Sequence, residues 1–298
     1  MIQGLANTLY AGSQYALVAL GLTIIYSAGR FLHFAHGAIY AIGAYAAFSF
    51  VRLGIPVLEA AGLGVLTSAC AGVAVELVIY RRLRNRGATA VVMLLASLGV
   101  FVVVQSVLST LFGENVKMIR LDSVLEGKNI LGARLTPIQI TGIIGSVVLC
   151  GLSCTILSLS SFGKQVRAVA SDLELAKSVG IDSNRVLLLV MLLASALAGF
   201  AGVFCAYDVD VRPTMGFAPL LAGVVAAILG GVGNPLGAII ASMLLAILQQ
   251  ASVHCFSSRW QDIPVFGVLI LVLFLRRANG VSTLSSPSQL QKSLQRNS

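Results

Sequence analysis

Histidine is the side chain best suited to act near neutral pH. Two of the three histidines stand together in Arg30-Phe-Leu-His-Phe-Ala-His-Gly37. This stretch interrupts apolar sequence, so His36 and Gly37 are candidates to line a translocation path, with an imidazole and freed backbone groups facing a cavity. The alternative is a structural histidine that donates to a carbonyl released by the break. His33 joins the candidates because it would share a face with His36 in a helix; two histidines alone make a weak metal site. A second break is Gly230-Gly-Val-Gly-Asn-Pro-Leu-Gly237, whose glycines and proline stop a helix. Gly230, Gly233 and Asn234 could end a half-helix aimed at a solute, as in transporters with broken helices. The competing reading is close packing through Ala226, Gly230, Gly233 and Gly237, and the sequence leans that way.

Other reactive groups point away from catalysis. Glu59 and Glu76 lie in apolar runs, where an ionised carboxylate needs a partner. Glu76 is about a turn from Tyr80 and Arg81, so an ion pair accounts for it better than a proton relay. Cys70, Cys150, Cys154, Cys205 and Cys255 sit in or beside apolar segments and read as free thiols. The chain has no G-x-x-x-x-G-K-[ST], H-E-x-x-H, C-x-x-C or G-x-S-x-G, so no nucleotide-hydrolysing arrangement is visible.

One polar segment has helical order. In Gly163 to Asp182, Val166, Val169, Leu173 and Ala176 form an apolar stripe, Arg167, Ser171, Glu174 and Ser178 line another face, and Gly180 is placed to stop the helix. Such a helix can lie on a membrane surface or fit a partner's groove.

The elements that position these residues must cross lipid. Hydrophobic residues are 57% of the 298 and charged ones 10%, against roughly 25% charged in a soluble domain. A single Trp and dispersed basic residues argue against nucleic-acid binding. Met1 to Ser27 has no charged side chain, unlike a cleaved signal, so Ile2–Tyr26 reads as a retained first span. Further apolar segments are Gly37–Val51, Val57–Tyr80, Ala88–Leu111, Ile138–Leu159, Val186–Tyr207, two pieces between Phe217 and Phe256, and Ile263–Leu275. The fold expected is an all-α polytopic membrane protein of about eight to ten spans, with broken helices and one cytoplasmic helix. A membrane domain covers residues 1–280, and residues 281–298, rich in Ser and Gln, form a disordered tail. Of the 20 Lys and Arg, twelve fall in Arg81–Arg86, Lys164–Arg185 and the stretch after Leu275. The positive-inside rule then puts these segments and the C-terminus in the cytoplasm and the N-terminus outside, with nine segments. Arg30–Gly37 could instead be a buried kink within the membrane.

Several motifs together carry a family resemblance. Glu174-Leu-Ala176, three residues and Gly180 resemble the "E-A-A, three residues, G" loop of ABC importer permeases, with Leu175 where Ala is usual. Gly21-Leu-Thr-Ile-Ile-Tyr26 with Phe34-Ala-His-Gly37, Glu76-Leu-Val-Ile-Tyr-Arg-Arg-Leu-Arg84, and Leu229-Gly-Gly-Val-Gly-Asn-Pro-Leu-Gly-Ala238 resemble signatures of the branched-chain and neutral amino acid permeases. The matches run in order from residue 4 to about 280. His33 departs from a frequent Asn, and Ala38 from a frequent acid.

The resemblance implies a permease subunit of a bacterial plasma-membrane importer for branched-chain or other neutral amino acids. Its relatives among urea and short-amide permeases share much of the pattern. A secondary active transporter is the reading from another class, disfavoured by the lack of mid-span acids. The implied partners are a second permease subunit, two cytoplasmic ATPases that bind the ATP, and an extracytoplasmic solute-binding protein that the Gly113–Pro137 loop would meet. No cofactor is implied in this chain. Arg167, Asp172, Leu173, Glu174, Ala176 and Gly180 are implied as the ATPase-coupling residues, with the apolar stripe as the buried contact.

Overall fold

The computed structural model describes residues 2–119, 127–130, 132–231 and 233–278, so the proposed tail lies outside the described residues. The apolar runs become α1 (Ile2–Gly29), α2 (Ala35–Arg52), α3 (Val57–Val75), a π-turn (Glu76–Tyr80) continuing into α4 (Arg81–Asn85), α5 (Ala90–Phe112), α6 (Pro137–Leu159), α9 (Ser183–Asp208), α10 (Phe217–Leu229), α11 (Pro235–Cys255) and α12 (Ile263–Ala278). Between α6 and α9 lie the short helices α7 (Ser161–Ser171) and α8 (Leu173–Ser178), and the loop after α5 holds an antiparallel hairpin, β1 (Lys128–Ile130) with β2 (Ala133–Leu135). Among the described residues six helices are long and apolar enough to cross a membrane. With the shorter α2, α10 and α12 they make the nine segments expected. Backbone amides in lipid must bond within their own segment, which is why these runs are helical.

Polar residues mark where the helices begin. Thr136 and Gln139 form a capping box ahead of α6, with Pro137 in its first turn. Asn234 caps α11 by accepting from the Gly237 amide at 3.2 Å, again beside a proline.

α1 and α9 form the interior of the bundle, whereas α3, α5 and α6 are largely exposed. α1 packs against α6, α9, α10 and α11, and α2, α3 and α9 pack against one another. Small residues let the inner helices approach: Ser68, Gly64, Gly72, Ser195 and Gly199 meet where α3 crosses α9. The outer helices present Leu95, Val103, Leu111, Val148 and Leu152, a surface suited to lipid.

Two sets of contacts define the ends. At one end the Gln3 side chain bonds both backbone groups of Arg134, Lys117 and Val211 form a bridge, and the Tyr207 hydroxyl donates to the Val57 carbonyl at 2.9 Å. At the other end Arg30 reaches the Ala170 carbonyl and Arg84 reaches Asn184 at 3.3 Å. Arg81–Arg86 and α7–α8 therefore share one end, and Gly113–Ile119 and the hairpin share the other.

Candidate functional site

Arg30 to Phe34 is not helical, so His33 and His36 do not sit on one helical turn as the sequence suggested. The chain reverses there, which keeps the segment count, and it also turns inward. His36 lies beside Gly21, eight residues before the end of α1 and so about 12 Å from that end. The break is thus a reversal between two helices, with its far end buried beside α1.

Several helices hold the break. Ser97 of α5 donates to the Leu32 carbonyl at 3.2 Å and accepts from the Phe34 amide at 3.1 Å. The Tyr80 hydroxyl, on the π-turn, bonds His33 Nδ1 at 3.0 Å, and Phe31 packs edge-on against both rings. His36 is fully buried, with the Val18 backbone nearby, yet neither of its ring nitrogens makes a hydrogen bond. Its ring lies against Gly21, where a Cβ would come within 2.8 Å of it.

Gly37 opens α2 against the start of α10. A Cβ on Gly37 would lie 2.7 Å from the Gly216 carbonyl, and one on Gly216 would overlap the Gly37 carbonyl. α10 has only 13 residues, about 20 Å against a hydrocarbon core of about 30 Å. It begins inside the bundle. Two helix N-termini, each a positive dipole end, thus meet beside the buried imidazole of His36. Such an arrangement can receive a solute's carboxylate once the helices part. Tyr80, Ser97 and Gly216 belong to it but were not identified from sequence, because each lies more than 40 residues from His36 along the chain.

At the second break Gly230 and Gly237 press on each other, and a Cβ on either would overlap the other's backbone. Gly233 has a positive φ of 86° and belongs to the turn itself. The close-packing reading fits Gly230 and Gly237 but not Gly233. Gly233 and Asn234 border a cavity of about 320 Å³, with Thr23, Ser27, Ser158 and Arg167 on other walls, at the end that holds the basic segments.

The amphipathic segment divides into two helices at Asp172, whose extended backbone (φ −150°, ψ 116°) breaks the run. Its carboxylate accepts from the Glu174 and Leu175 amides at 2.9 and 3.0 Å and starts α8. Gly180 ends it at φ +86°. The apolar stripe faces inward: Val166, Val169 and Ala176 are in the chain's own core, and Leu173 packs against it. Arg167 donates to the Leu157 carbonyl, and Glu174 pairs with Lys177 at 3.2 Å. The stripe is therefore used internally, and the surface left outward on α8 carries Glu174, Leu175, Ser178 and Val179. Periodicity identified the stripe but could not say which side it would meet.

Glu76 pairs with Arg84 at 2.5 Å rather than with Arg81. On a regular helix eight residues end about 80° past two full turns. The wider π-turn over Glu76–Tyr80 turns less per residue, which returns Arg84 to the face of Glu76. The five cysteines are free, and no cluster of three metal-binding side chains occurs among the described residues.

Comparison with known proteins agrees with this architecture. The chain is 31% identical over 292 residues to the high-affinity branched-chain amino acid transport system permease protein BraD of Pseudomonas aeruginosa, covering 92% of this chain and 94% of that one. It is 32% identical to the permease protein LivH of the corresponding Escherichia coli K12 system, covering 92% and 93%. A chain of the solved structure "PsaBC from Streptococcus pneumoniae in complex with Fab" superposes with a TM-score of 0.50 at 15% identity, covering 98% and 95%, and shares the fold. The model of the family described as branched-chain amino acid transport system / permease component matches residues 4–273, and this multi-pass membrane protein belongs to that family.

Proposed function

We infer that the chain is the permease subunit of an ATP-driven importer for branched-chain or other neutral amino acids, and that α8 passes the motion of a cytoplasmic ATPase into the bundle. The observation that carries this reading is the division of labour in α7–α8. One face is fixed in the chain's own core, while Leu175 and Val179 are exposed at the basic end of the bundle. An exposed apolar pair on a short, capped helix can seat in a partner's groove. The clustering of Arg81–Arg86 and Lys164–Arg185 at that end supports a cytoplasmic position. The opposite end, with the hairpin and Gly113–Ile119, is where a solute-binding protein would dock, and a second permease subunit would complete the path. Within the path, His36, Gly37 and Gly216 are the proposed solute-side groups, with His33 behind them. Gly230, Gly233 and Asn234 shape the turn between α10 and α11.

The assignment shifts the coupling contact to Leu175, Val179 and Glu174. Arg167, Asp172, Leu173 and Ala176 shape the helix from inside, and Gly180 ends it. Truncating a seated anchor costs about 2 kcal/mol or more, roughly 30-fold in affinity. Leu175→Asp should therefore lose the ATPase on co-purification while the chain keeps its melting temperature. Val166→Asp should instead lower the melting temperature. Full co-purification and full ATPase activity with Leu175→Asp would show that α8 is not the docking element.

A further inference from the structure

Arg30 is the only non-glycine residue with a positive φ among the described residues, at 58°. It stands where α1 ends, with its amide bonded to the Tyr26 carbonyl at 2.9 Å, a position that glycine normally fills. Gly29, one residue earlier, remains helical. The local backbone would thus be served better by glycine at 30, and an outlier of this kind persists where something else requires the side chain.

That side chain crosses to α7. Arg30 Nη2 donates to the Ala170 carbonyl, one of the last carbonyls of a helix, where intrahelical partners are missing and a cation is favoured. On its other side Arg30 is joined directly to the buried Phe31, whose ring packs on Tyr80 and His33. The next residues are pinned by Ser97, and the segment runs into His36 and Gly37 against Gly216. A cavity of about 280 Å³ borders Arg30, Arg84, Ala170, Ser171 and Leu173. The end of α7 therefore has room to shift, and Arg30 spans the gap.

We propose that Arg30 is a positioning residue that ties the C-terminal end of α7 to the membrane-buried break at His36 and Gly37, so that displacement of α7–α8 moves the contact between α2 and α10. The proposal rests on the reading of α7–α8 as the ATPase-driven element. A merely structural Arg30 and a relay make opposite predictions for one substitution. Arg30→Gly removes the side chain and also relieves the left-handed backbone, so stability should hold or rise while the relay is lost.

The test uses the whole importer, purified with its ATPase subunits, reconstituted in lipid and cleared of native cysteines in this chain. Ala38→Cys, next to Gly37, supplies a thiol whose maleimide labelling is timed with and without ATP and vanadate. The expected result is a severalfold change in labelling rate with Arg30 present. In Arg30→Gly that ratio should fall to near unity, with ATPase co-purification retained and the melting temperature unchanged or higher. Arg30→Lys, which keeps a donor, should retain part of the change. A ratio in Arg30→Gly equal to that of the parent would overturn the tether, as would a parent whose labelling ignores the nucleotide. Co-purification of Leu175→Asp decides the docking reading separately, so a failed tether and a failed coupling helix give different results.

Discussion

A carboxylate placed as Glu76 is, 3% exposed on its side chain, is costly to bury unless a partner answers its charge. Arg84 does so at 2.5 Å and also bonds Asn184 on α9. Removing one partner of a buried pair leaves the other uncompensated, at a cost of about 3–5 kcal/mol. Arg84→Met should therefore lower the melting temperature of the purified chain markedly, and adding Glu76→Gln should recover most of the loss. An Arg84→Met variant that melts like the parent would show that the pair contributes little. That Glu76 needs a cation was legible in Glu76-Leu-Val-Ile-Tyr-Arg-Arg-Leu-Arg84. Which arginine supplies it was not, because the answer depends on a π-turn that residue spacing does not reveal. His36 is a similar case: its place at a break was readable, but its burial against Gly21, and the seating of Gly37 against Gly216, depend on how separate helices pack.

The same contrast holds for helices. Asp172 was read as part of one continuous helix, yet its side chain bonds the two amides that follow it and divides the segment. Aspartate competes with the backbone in this way, which is why it favours helix starts over helix interiors. Asp172→Ala removes the cap at a cost of about 1 kcal/mol, so amides of Leu173–Ser178 should exchange with deuterium about fivefold faster. Exchange in α7 should stay near that of the parent, because its own cap is Ser160, which accepts from the Gly163 amide. Equal speeding of α7 and α8 would mean that the two behave as one helix. Gly180 was legible as a stop signal, and its positive φ agrees. A heptad-like stripe tells which residues share a face. Only the packed bundle tells that this face turns toward the chain's own spans.

For the whole molecule, the shared ends give a testable orientation. Glu114 and Ser178 are both exposed and lie at opposite ends of the bundle. In a chain cleared of its cysteines, Glu114→Cys should react with a membrane-impermeant maleimide added to intact cells. Ser178→Cys should react only after the membrane is opened. The reverse pattern would place the basic segments outside and would also rule out a cytoplasmic ATPase at α8.

Taken alone, the chain's residues determined that it spans a membrane, that it does so by helices, where those helices start and stop, and which end carries the positive charge. These follow from local terms: an apolar run long enough for the bilayer, backbone amides that must bond within it, and breaks at Gly, Pro and Asn. Tertiary structure decided that α9 is interior while the equally apolar α5 faces outward, both with a mean hydropathy of 2.5, because hydropathy does not separate lipid from protein as a neighbour. It also decided that α2 and α10 begin against each other inside the bundle. That meeting needs Gly37 and Gly216, nearly 180 residues apart, to bring their backbones into contact, and no local preference at either position specifies the other.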